Sequence, residues 1–484
     1  MENMDLKPAS VFHYFAEVCK VPRPSKKEEK IRAYLLDFAK EHRLEVKTDE
    51  AGNVLIKKPA TPGMENLKTV ILQSHIDMVC EKNGDVEHDF LNDPIETYID
   101  GEWMKAKGTT LGADNGIGIA TQLAVLAADD LQHGPLECLF TVDEETGLTG
   151  AFALKEGFMD GDILINLDSE DEGELFIGCA GGANTTAEFA YEWVDAPQNY
   201  FYFSVTIKGL TGGHSGDDIN KNRANANKLL NRFLTLLQDK YDFYLCQIDG
   251  GNLHNAIPRE ARAICAVPMK DKENVRIDMN VFTAEIENEF SVTEPNLRTE
   301  LFSDDVREKA IDRATVKNLL KSVYAVHNGV YAWSQDMEGL VETSSNLASI
   351  KMVDDKIKIV TSQRSSILSS RKDMSEMIRS AFELGGAVCT TGDGYPGWKP
   401  NPSSPILKVA VESYQRLFGV EPKVKAIHAG LECGLFLEKY PHLDMFSTGP
   451  TLRGVHSPDE RMLIPTVDKF WKHLLDVLVH VPMK

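Results

Sequence analysis

Four groups of acidic and imidazole side chains stand where predicted buried strands end or where the following helix begins. Their members are His75 and Asp77 in "SHID", Asp114 in "GADNG", Asp143, Glu144 and Glu145 in "VDEET", and Asp168 in "NLDSE". Each group alone is typical of a solvated turn. The carboxyl ends of parallel strands, however, meet at one edge of an open α/β sheet, where such sheets bind ligands. Four groups at this edge favour a functional site.

Carboxylates crowded together with imidazoles need a compensating positive charge, which divalent metal ions can supply. Zinc accepts both imidazole nitrogen and carboxylate oxygen as ligands. The mixed set favours Zn²⁺, Mn²⁺ or Co²⁺ over Ca²⁺, which prefers oxygen ligands alone. His456 in "GVHSPDE" is a further candidate, although a loop histidine taken alone is more often simply exposed. The sequence therefore predicts a metal centre.

Buried strands and the helices between them must position these side chains. Apolar runs predict strands at 69–77, 136–145 and 162–170. A helix is predicted at 115–130, and an earlier one follows Ser25, which with Glu28 has the spacing of a capping box. Alternating strands and helices indicate an α/β fold with a mostly parallel sheet covered by helices on both faces.

The pattern changes near residue 200, where half-exposed strands and amphipathic helices indicate an α+β layer. Helices are predicted there at about 272–289, 305–326 and 373–384. The Pro/Gly-rich segment "GDGYPGWKPNPSSP" ends this region, and the tail returns to the earlier alternation. A length of 484 residues favours two domains. We expect a discontinuous catalytic domain at 1–187 and 400–484, with a lid domain inserted at 188–399.

Composition excludes several classes of function. The formal net charge is −22, which argues against nucleic acid or an anionic membrane as a partner. No apolar stretch is long enough to span a bilayer, and the N-terminal sequence does not have the pattern of a signal peptide. The eight cysteines form no CxxC pair, so we expect reduced thiols and a cytoplasmic location.

The ordered motifs resemble one family of enzymes. "HID", "GADNG", "DEETG", "NLDSE" and "GVHSPDE" are similar to the metal-binding motifs of the di-zinc aminopeptidase-like metallopeptidases, the group of carboxypeptidase G and aminoacylase. Within it, the segments "GLTGGHSGDDI", "GNLHNAIPREA" and "HAGLECGLF" resemble dipeptidases of the bacterial carnosinase type, which cleave Xaa-His dipeptides. The resemblance runs nearly from end to end and implies the zinc-exopeptidase type of fold.

The resemblance implies two zinc ions and a role for each acidic or imidazole group. The implied metal ligands are His75, Asp114, Glu145, Asp168 and His456. Asp114 would bridge the ions, with His75 and Asp168 completing one site and Glu145 and His456 the other. Asp77 would orient His75 through its second ring nitrogen. Asp143 has no implied role, and we interpret it as structural.

The same resemblance implies a mechanism of peptide hydrolysis. A bridging hydroxide, activated by the two metal ions and by Glu144 as general base, would attack the peptide carbonyl. Glu144 would then pass the proton to the leaving amine. His214 in "LTGGHSG" would stabilise the oxyanion, and in some family members this histidine comes from a partner subunit. The family also often has a cis peptide bond after the bridging aspartate, here Asp114–Asn115.

Three further residues match substrate-binding positions of the family. Arg364 in "TSQRSS" would clamp the substrate carboxylate, Asn255 in "NAIP" would hydrogen-bond it or the oxyanion, and Glu432 in "HAGLECG" would receive the ammonium group. From the sequence alone, Arg364 could equally be an exposed strand charge and Glu432 a residue at a helix start. The role of His428 and the preference for particular side chains stay open.

Two alternatives compete with the dipeptidase hypothesis. A related N-acyl-amino-acid hydrolase or tripeptidase would share the metal ligands and differ in the substrate pocket. A non-catalytic binding homologue is also conceivable, but the presence of all five ligands and Glu144 argues against it. The inserted domain is longer than one β-α-β-β-α-β unit needs, and we expect it to close over a small peptide and to form a homodimer interface.

Overall fold

The computed structural model describes residues 6–484, which form two compact units. The first unit contains the described residues up to Gly178 together with Pro400–Ala426 and Leu431–Lys484. The second unit contains Cys179–Lys399 and Ile427–Gly430. The chain therefore leaves the first unit, builds the second and returns.

The helices and strands follow one another closely along both units. The helices are α1 Ala9–Cys19, α2 Glu29–Glu41, α3 Ala113–Ala127, α4 Glu144–Gly147, α5 Thr149–Ala153, α6 Ala226–Lys240, α7 Lys272–Glu289, α8 Arg313–Ala325, α9 Leu368–Leu384, α10 Pro405–Phe418, α11 Glu432–Lys439 and α12 Ile464–Val479. The strands are β1 Glu45–Thr48, β2 Val54–Lys58, β3 Val70–His75, β4 Thr97–Asp100, β5 Trp103–Ala106, β6 Leu136–Thr141, β7 Ile163–Asn166, β8 Glu174–Cys179, β9 Gly181–Ala190, β10 Trp193–Asp195, β11 Tyr200–Lys208, β12 Gly213–His214, β13 Tyr244–Gly250, β14 Ala256–Ile257, β15 Ala261–Pro268, β16 Arg298–Ser303, β17 Lys309–Ile311, β18 Gly329–Trp333, β19 Val341–Val353, β20 Lys356–Ser365, β21 Val388–Thr391, β22 Lys423–Ile427, β23 Asp444–Ser447, β24 Leu452–Arg453 and β25 Arg461–Leu463.

The main sheet of the first unit has the order β1-β2-β6-β3-β7-β23-β8-β22. Its centre is parallel, because β3 pairs in parallel with β6 and β7, and β7 with β23. Every residue of β3, β6 and β7 is buried, as expected for strands covered on both faces. The predicted α/β fold with a separate α+β domain is confirmed.

Helix α3 packs on this sheet and on α1, and its first turn carries Asp114. Val11 and Phe15 of α1 share one buried cluster with Ile117 and Ala120 of α3. Helix α3 is itself apolar on most of its faces, and nearly all of its residues are buried, as expected for such a helix. This packing holds the first turn of α3, and with it Asp114, in place.

A smaller sheet of the first unit has the order β24-β25-β5-β4, and one of its loops contains His456. Strands β24 and β25 pair antiparallel, with Arg453 opposite Arg461, and the intervening loop 454–460 contains His456. His456 adopts a left-handed backbone conformation with φ of 60°.

The second unit is built on an antiparallel sheet with the order β16-β11-β15-β13-β19-β20-β9-β21, and β18 adds to β19. Helices α6 to α9 contribute to its core, which includes Phe233, Phe282, Leu319 and Phe382. Helix α7 covers the predicted span 272–289.

Three boundary predictions need correction. Strand β9 pairs with β20 and β21, so the second unit begins near Cys179 rather than at 188. Helix α8 begins at Arg313 and not near 305, because 309–311 form β17 and the Asp312 side chain caps the helix by accepting the N–H of Thr315 at 2.9 Å. Helix α9 begins earlier than predicted, at Leu368.

The predicted capping box at Ser25 and Glu28 is wrong. Helix α2 begins at Glu29 with no side-chain cap. The Ser25 hydroxyl instead donates to Asp77 Oδ2 at 2.7 Å, and Glu28 Oε1 accepts the main-chain N–H of Asp143 at 3.1 Å. These long-range bonds outcompete the local cap. Among the helices at residues 6–484, none combines the length and apolar character needed to cross a membrane.

Candidate metal centre

His75 ends strand β3 and is fully buried, with its two ring nitrogens facing carboxylates on opposite sides. Nδ1 lies 3.2 Å from Asp77 Oδ1, and Nε2 lies 3.1 Å from Asp114 Oδ1 and 3.4 Å from Asp168 Oδ1. Asp77 follows the same strand by two residues and is also buried. The bond to Asp77 leaves Nε2 as the ring atom available to a metal ion.

Asp77 also connects His75 to the acidic turn after β6. Its Oδ1 accepts the main-chain N–H of Glu144 at 3.0 Å, and its Oδ2 accepts that of Glu145 at 3.2 Å. Burial alone would raise the pKa of Asp77. The hydrogen bond and charge of His75, together with the main-chain N–H donors, outweigh burial and lower this pKa to about 2. A single carboxylate therefore orients one imidazole and fixes the start of α4.

Asp114 presents one carboxylate oxygen to each of two imidazoles. Oδ1 faces His75 Nε2 at 3.1 Å, and Oδ2 faces His456 Nε2 at 3.2 Å. The Asp114–Asn115 peptide bond is cis, as the family resemblance implied. Asn115 donates through Nδ2 to Asp168 Oδ1 at 2.5 Å and to the carbonyl of Leu167 at 2.8 Å. The segment after Asp114 thus also orients Asp168.

Glu145 and His456 form a second pair of predicted ligands. Glu145 Oε2 lies 3.0 Å from His456 Nε2, and Glu145 Oε1 is buried without a hydrogen-bond partner. Ligand atoms of His75, Asp114 and Glu145 all lie within 4.8 Å of one another. All five predicted ligands therefore come together in the first unit.

The spacing of these atoms fits metal coordination. Two ligand atoms bound to one tetrahedral zinc ion, each at about 2.0 Å, are separated by about 3.3 Å. The Nε2 atom of each imidazole lies 3.0–3.4 Å from two of the predicted ligand carboxylates. The donor set, two neutral-capable imidazoles and three carboxylates, is one that zinc, manganese or cobalt accepts. The residues present fit two such ions.

Crowding perturbs the pKa values of Asp168, His75 and His456. Burial raises the pKa of Asp168 to about 7, and Asp114 and Glu145 add to this rise. Burial alone would lower the pKa of His75. The charge of Asp168 and the hydrogen bonds to Asp114, Asp168 and Asp77 outweigh burial and hold this pKa well above its usual value. Hydrogen bonds to Asp114 and Glu145 raise the pKa of His456 to about 11. The carboxylates thus stabilise the protonated forms of both imidazoles.

The three consecutive acids at 143–145 point in different directions because the chain turns at Asp143. This residue is left-handed, with φ of 49° and ψ of 51°, and its carboxylate accepts hydrogen bonds from the hydroxyls of Thr146 and Thr149. Asp143 therefore stabilises the turn. Burial, followed by the charges of Asp168, Glu432 and Glu145, raises the pKa of Glu144 well above its usual value. The charges of the predicted ligands Asp168 and Glu145 thus act on the Glu144 carboxyl group.

Two residues that the sequence reasoning missed hold the ligand loops. The Glu460 carboxylate accepts main-chain N–H bonds from Leu111 at 2.8 Å, Gly112 at 2.9 Å, Ala113 at 2.8 Å and Asp114 at 3.3 Å. Arg23, buried at 2% exposure, donates to the carbonyls of Asp77 at 2.8 Å, Ile76 at 3.3 Å and Gly112. The only sequence signal was the position of Glu460 inside the "GVHSPDE" motif.

Glu432 is the first residue of α11 and is buried in the first unit. Its Oε2 accepts hydrogen bonds from Gln73 Nε2 at 2.6 Å and from Thr141 Oγ1 at 2.9 Å, whereas Oε1 is buried without a partner. Burial and the nearby charge of Asp168 raise the pKa of Glu432 to about 8. The carboxyl group is thus half satisfied by the protein.

The remaining predicted site residues belong to the second unit. His214 lies in β12, and its Nδ1 accepts the main-chain N–H groups of Gly216 at 3.3 Å and Asp217 at 3.2 Å. Arg364 in β20 is 6% exposed, and its Nη2 lies 3.4 Å from His214 Nε2. Asn255 is exposed, and its main-chain carbonyl accepts the N–H of Ser215, the neighbour of His214, at 2.8 Å.

His428 also belongs to the second unit, where it is buried. Its Nε2 lies 2.7 Å from the hydroxyl oxygen of Ser344. Burial and the positive charge of Arg364 lower the pKa of His428 to about 3. The imidazole is therefore neutral in the folded protein at ordinary pH.

Comparison with known proteins gives a consistent result. Residues 71–480 match the model of peptidase family M20/M25/M40. The chain is 44% identical over 483 residues to the cytosol non-specific dipeptidase of Escherichia coli (strain K12), covering 100% of both chains. It also matches the crystal structure of aminoacylhistidine dipeptidase from Vibrio alginolyticus, with a TM-score of 0.93, 45% identity and coverage of 99% of this chain and 98% of that chain. A tripeptidase from Staphylococcus aureus shares the fold at a TM-score of 0.57 and 16% identity, with coverage of 98% and 99%.

Proposed function

Since this chain belongs to peptidase family M20/M25/M40, we propose that it is a dipeptidase that hydrolyses Xaa-His dipeptides, among others, with two zinc ions. Manganese or cobalt could replace zinc at a site of this composition. The full-length similarity to the Escherichia coli and Vibrio alginolyticus dipeptidases supports the substrate class.

The observation that carries the proposal is the position of Asp114 between two imidazoles. One oxygen faces His75 and the other faces His456, at 3.1 and 3.2 Å. A carboxylate with this geometry is suited to bridge two ions. Asp168 would share the ion of His75, and Glu145 would share the ion of His456, because each lies beside that imidazole.

When bound, the two metal ions would lower the pKa of a water molecule and polarise the peptide carbonyl. Glu144 is the residue that we assign to proton transfer. One of its carboxylate oxygens would accept the proton of the attacking water and then deliver it to the nitrogen of the leaving amine. Its place among the ligands, at the start of α4, is fixed by the bond from its main-chain N–H to Asp77.

His214 and Arg364 are suited to bind negatively charged oxygen atoms. Because His214 Nδ1 accepts two main-chain N–H groups, Nε2 carries the hydrogen of the neutral ring. With this tautomer, His214 Nε2 and Arg364 Nη2 are two N–H donors only 3.4 Å apart, so both could donate to the same oxygen-bearing group. We assign the oxyanion to His214 and the carboxylate of the dipeptide to Arg364, with Asn255 as an additional donor.

Glu432 is assigned to the ammonium group of the substrate. Its unpartnered Oε1 is an acceptor whose burial favours a charged partner. A requirement for a free amino group would separate a dipeptidase from an N-acyl-amino-acid hydrolase.

The decisive experiment measures histidine release from Ala-His by zinc- or manganese-loaded protein. We expect turnover by the wild type and a loss of about 10³-fold or more in kcat for Glu144→Gln, because general base catalysis is removed. Glu156→Gln, the same change at an exposed acid of this unit, should retain activity. No release from Ala-His, with release from N-acetyl-histidine, would contradict the dipeptidase assignment. Equal rates for the wild type and Glu144→Gln would contradict the role of Glu144.

We further propose that the protein acts in the cytoplasm as a homodimer that associates through the second unit. The name of the Escherichia coli relative, a cytosol enzyme, supports the location. Sedimentation of a single species with the mass of two chains is expected. A species of 53.9 kDa at working concentrations would contradict the dimer.

A further inference from the structure

Tyr395 lies in the segment "GDGYPGW", which the proposed function leaves without a role. This segment follows β21 in the second unit and pairs with the beginning of β9. The N–H of Tyr395 donates to the carbonyl of Gly182 at 2.9 Å, and the N–H of Gly182 donates to the carbonyl of Tyr395 at 3.1 Å. The backbone of Tyr395 is therefore fixed against Gly182.

The tyrosine ring fills a slot that two glycines leave open. A Cβ atom at Gly182 would lie 2.8 Å from the hydroxyl oxygen of Tyr395, and a Cβ atom at Gly430 would lie 2.8 Å from ring atom Cε2. Neither position has a positive φ that would itself require glycine. Close approach of the ring is thus the reason for glycine at both positions.

Arg371 anchors the same segment through hydrogen bonds to main-chain carbonyls. Its Nη1 donates to the carbonyls of Gly182, at 3.1 Å, and of Tyr395, and its Nη2 donates to the carbonyl of Asp393 at 3.1 Å. A buried guanidinium that joins both paired segments leaves the tyrosine little freedom to move.

The hydroxyl group of Tyr395 accepts a hydrogen bond from Arg364 Nη1 at 3.0 Å. Arg364 is buried, and its Nε has no hydrogen-bond partner among residues 6–484. A long side chain with four rotatable bonds needs such contacts to hold one orientation. The hydroxyl of Tyr395 is the fixed side-chain oxygen that supplies one.

We propose that Tyr395 is a positioning residue that holds the Arg364 guanidinium ready for the carboxylate of a dipeptide. The inference rests on the proposed function, because it assigns Tyr395 to the recognition of a free C-terminal carboxylate. Tyr395 itself need not contact substrate. The rigid slot makes the arginine preorganised, which lowers the entropic cost of binding.

The test compares Ala-His with Ala-His amide, which lacks the carboxylate, in the wild type and in Tyr395→Phe. The phenylalanine keeps the ring in its slot and removes the hydroxyl alone. We expect KM for Ala-His to rise about tenfold with kcat nearly retained, as for the loss of one hydrogen bond to a charged group. KM for the amide should stay unchanged. Tyr200→Phe is the matched control, since its hydroxyl bonds Asp242 in the same unit.

Binding of both compounds to the Glu144→Gln protein, with and without Tyr395→Phe, is measured by calorimetry alongside. A wild type that cleaves Ala-His while Tyr395→Phe shows the same KM overturns the role of Tyr395 alone. Equal losses on the acid and the amide also overturn it, because they indicate a general structural defect. If the wild type does not cleave Ala-His and the Glu144→Gln protein binds Ala-His no more tightly than the amide, the proposed function and the role of Tyr395 are overturned together.

Discussion

The carboxylate of Glu460 holds the main chain that leads into Asp114, through four N–H donors in succession. Glu460 lies four residues after His456 in the same hairpin loop. One side chain thus joins the loop of a predicted ligand to the segment of the predicted bridging ligand. The position of Asp114 relative to His456 depends on this bond set.

Glu460→Gln should weaken metal binding, because an amide can accept from only one side and its NH₂ group faces N–H donors. We expect a loss of about 1–3 kcal/mol in the free energy of unfolding from the unsatisfied N–H groups. Zinc affinity should fall about tenfold or more. Calorimetric titration of metal into the apoprotein and thermal unfolding measure the two effects. Glu102→Gln, an exposed acid of the same unit, should change neither; unaltered zinc affinity in Glu460→Gln would contradict the prediction.

Asp77→Asn should reduce metal affinity about 10- to 100-fold, as expected when a carboxylate that orients a metal-binding histidine is lost. The variant also weakens the bonds to the N–H groups of Glu144 and Glu145. Competition with a chromogenic chelator measures the affinity directly. Metal binding as tight as in the wild type would show that His75 keeps its orientation without the charge of Asp77.

His456→Ala should lower the metal content from two ions per chain to about one. His456 contacts Asp114 and Glu145 but lies on the side of Asp114 opposite to His75. Elemental analysis after dialysis gives the stoichiometry without any activity assay. His480→Ala removes an exposed imidazole and should leave the content unaltered. Two tightly bound ions in His456→Ala would mean that another residue completes the second site.

Glu432→Gln should diminish the preference for a free amino group. The amide retains the size of the side chain and an oxygen for Gln73 and Thr141, but loses the charge that an ammonium group needs. We expect the ratio of kcat/KM for Ala-His over propionyl-histidine to fall by about 10- to 100-fold, a loss typical of a hydrogen bond between charged groups. An unaltered ratio would place the ammonium group elsewhere.

Acid should destabilise the second unit through His428. Its pKa is about 3 in the folded protein and near 6.5 when unfolded, so the unfolded chain takes up a proton first as the pH falls. Stability is therefore lost between pH 6.5 and 3, at up to about 1.4 kcal/mol per pH unit. His428→Gln should show a shallower decline in unfolding temperature between pH 6.5 and 4.5. His13→Gln, at an exposed site, should follow the wild type; parallel curves for His428→Gln would contradict the assignment.

The residues that end parallel strands could be located from sequence because their position depends on local pattern. His75 and Asp168 follow apolar runs that are long enough to be recognised as buried strands. Their placement at one sheet edge then follows from the topology of parallel sheets. His456 is a weak candidate until the family motif supports it, since a loop histidine has no periodicity that distinguishes it from an exposed one.

Residues that act through long-range hydrogen bonds could not be found in this way. Ser25 and Glu28 have the spacing of a helix cap, yet they bond Asp77 and the N–H of Asp143, far along the chain. Glu460 and Tyr395 likewise bond partners that no local pattern identifies. Such contacts depend on how elements pack, and similar side chains at turns are usually solvated.

The order of the ligands along the chain has a consequence for biosynthesis. Translation delivers His75, Asp114, Glu145 and Asp168 before any of the inserted unit exists, whereas His456 emerges only after residue 400 has returned the chain to the first unit. Domains generally fold as units while the ribosome elongates them. While more than two hundred further residues are synthesised, the nascent chain therefore contains four of the five predicted ligands, of which only His75 is an imidazole. If the proposed centre takes two metal ions, loading of the second ion would therefore follow the synthesis of almost the whole chain.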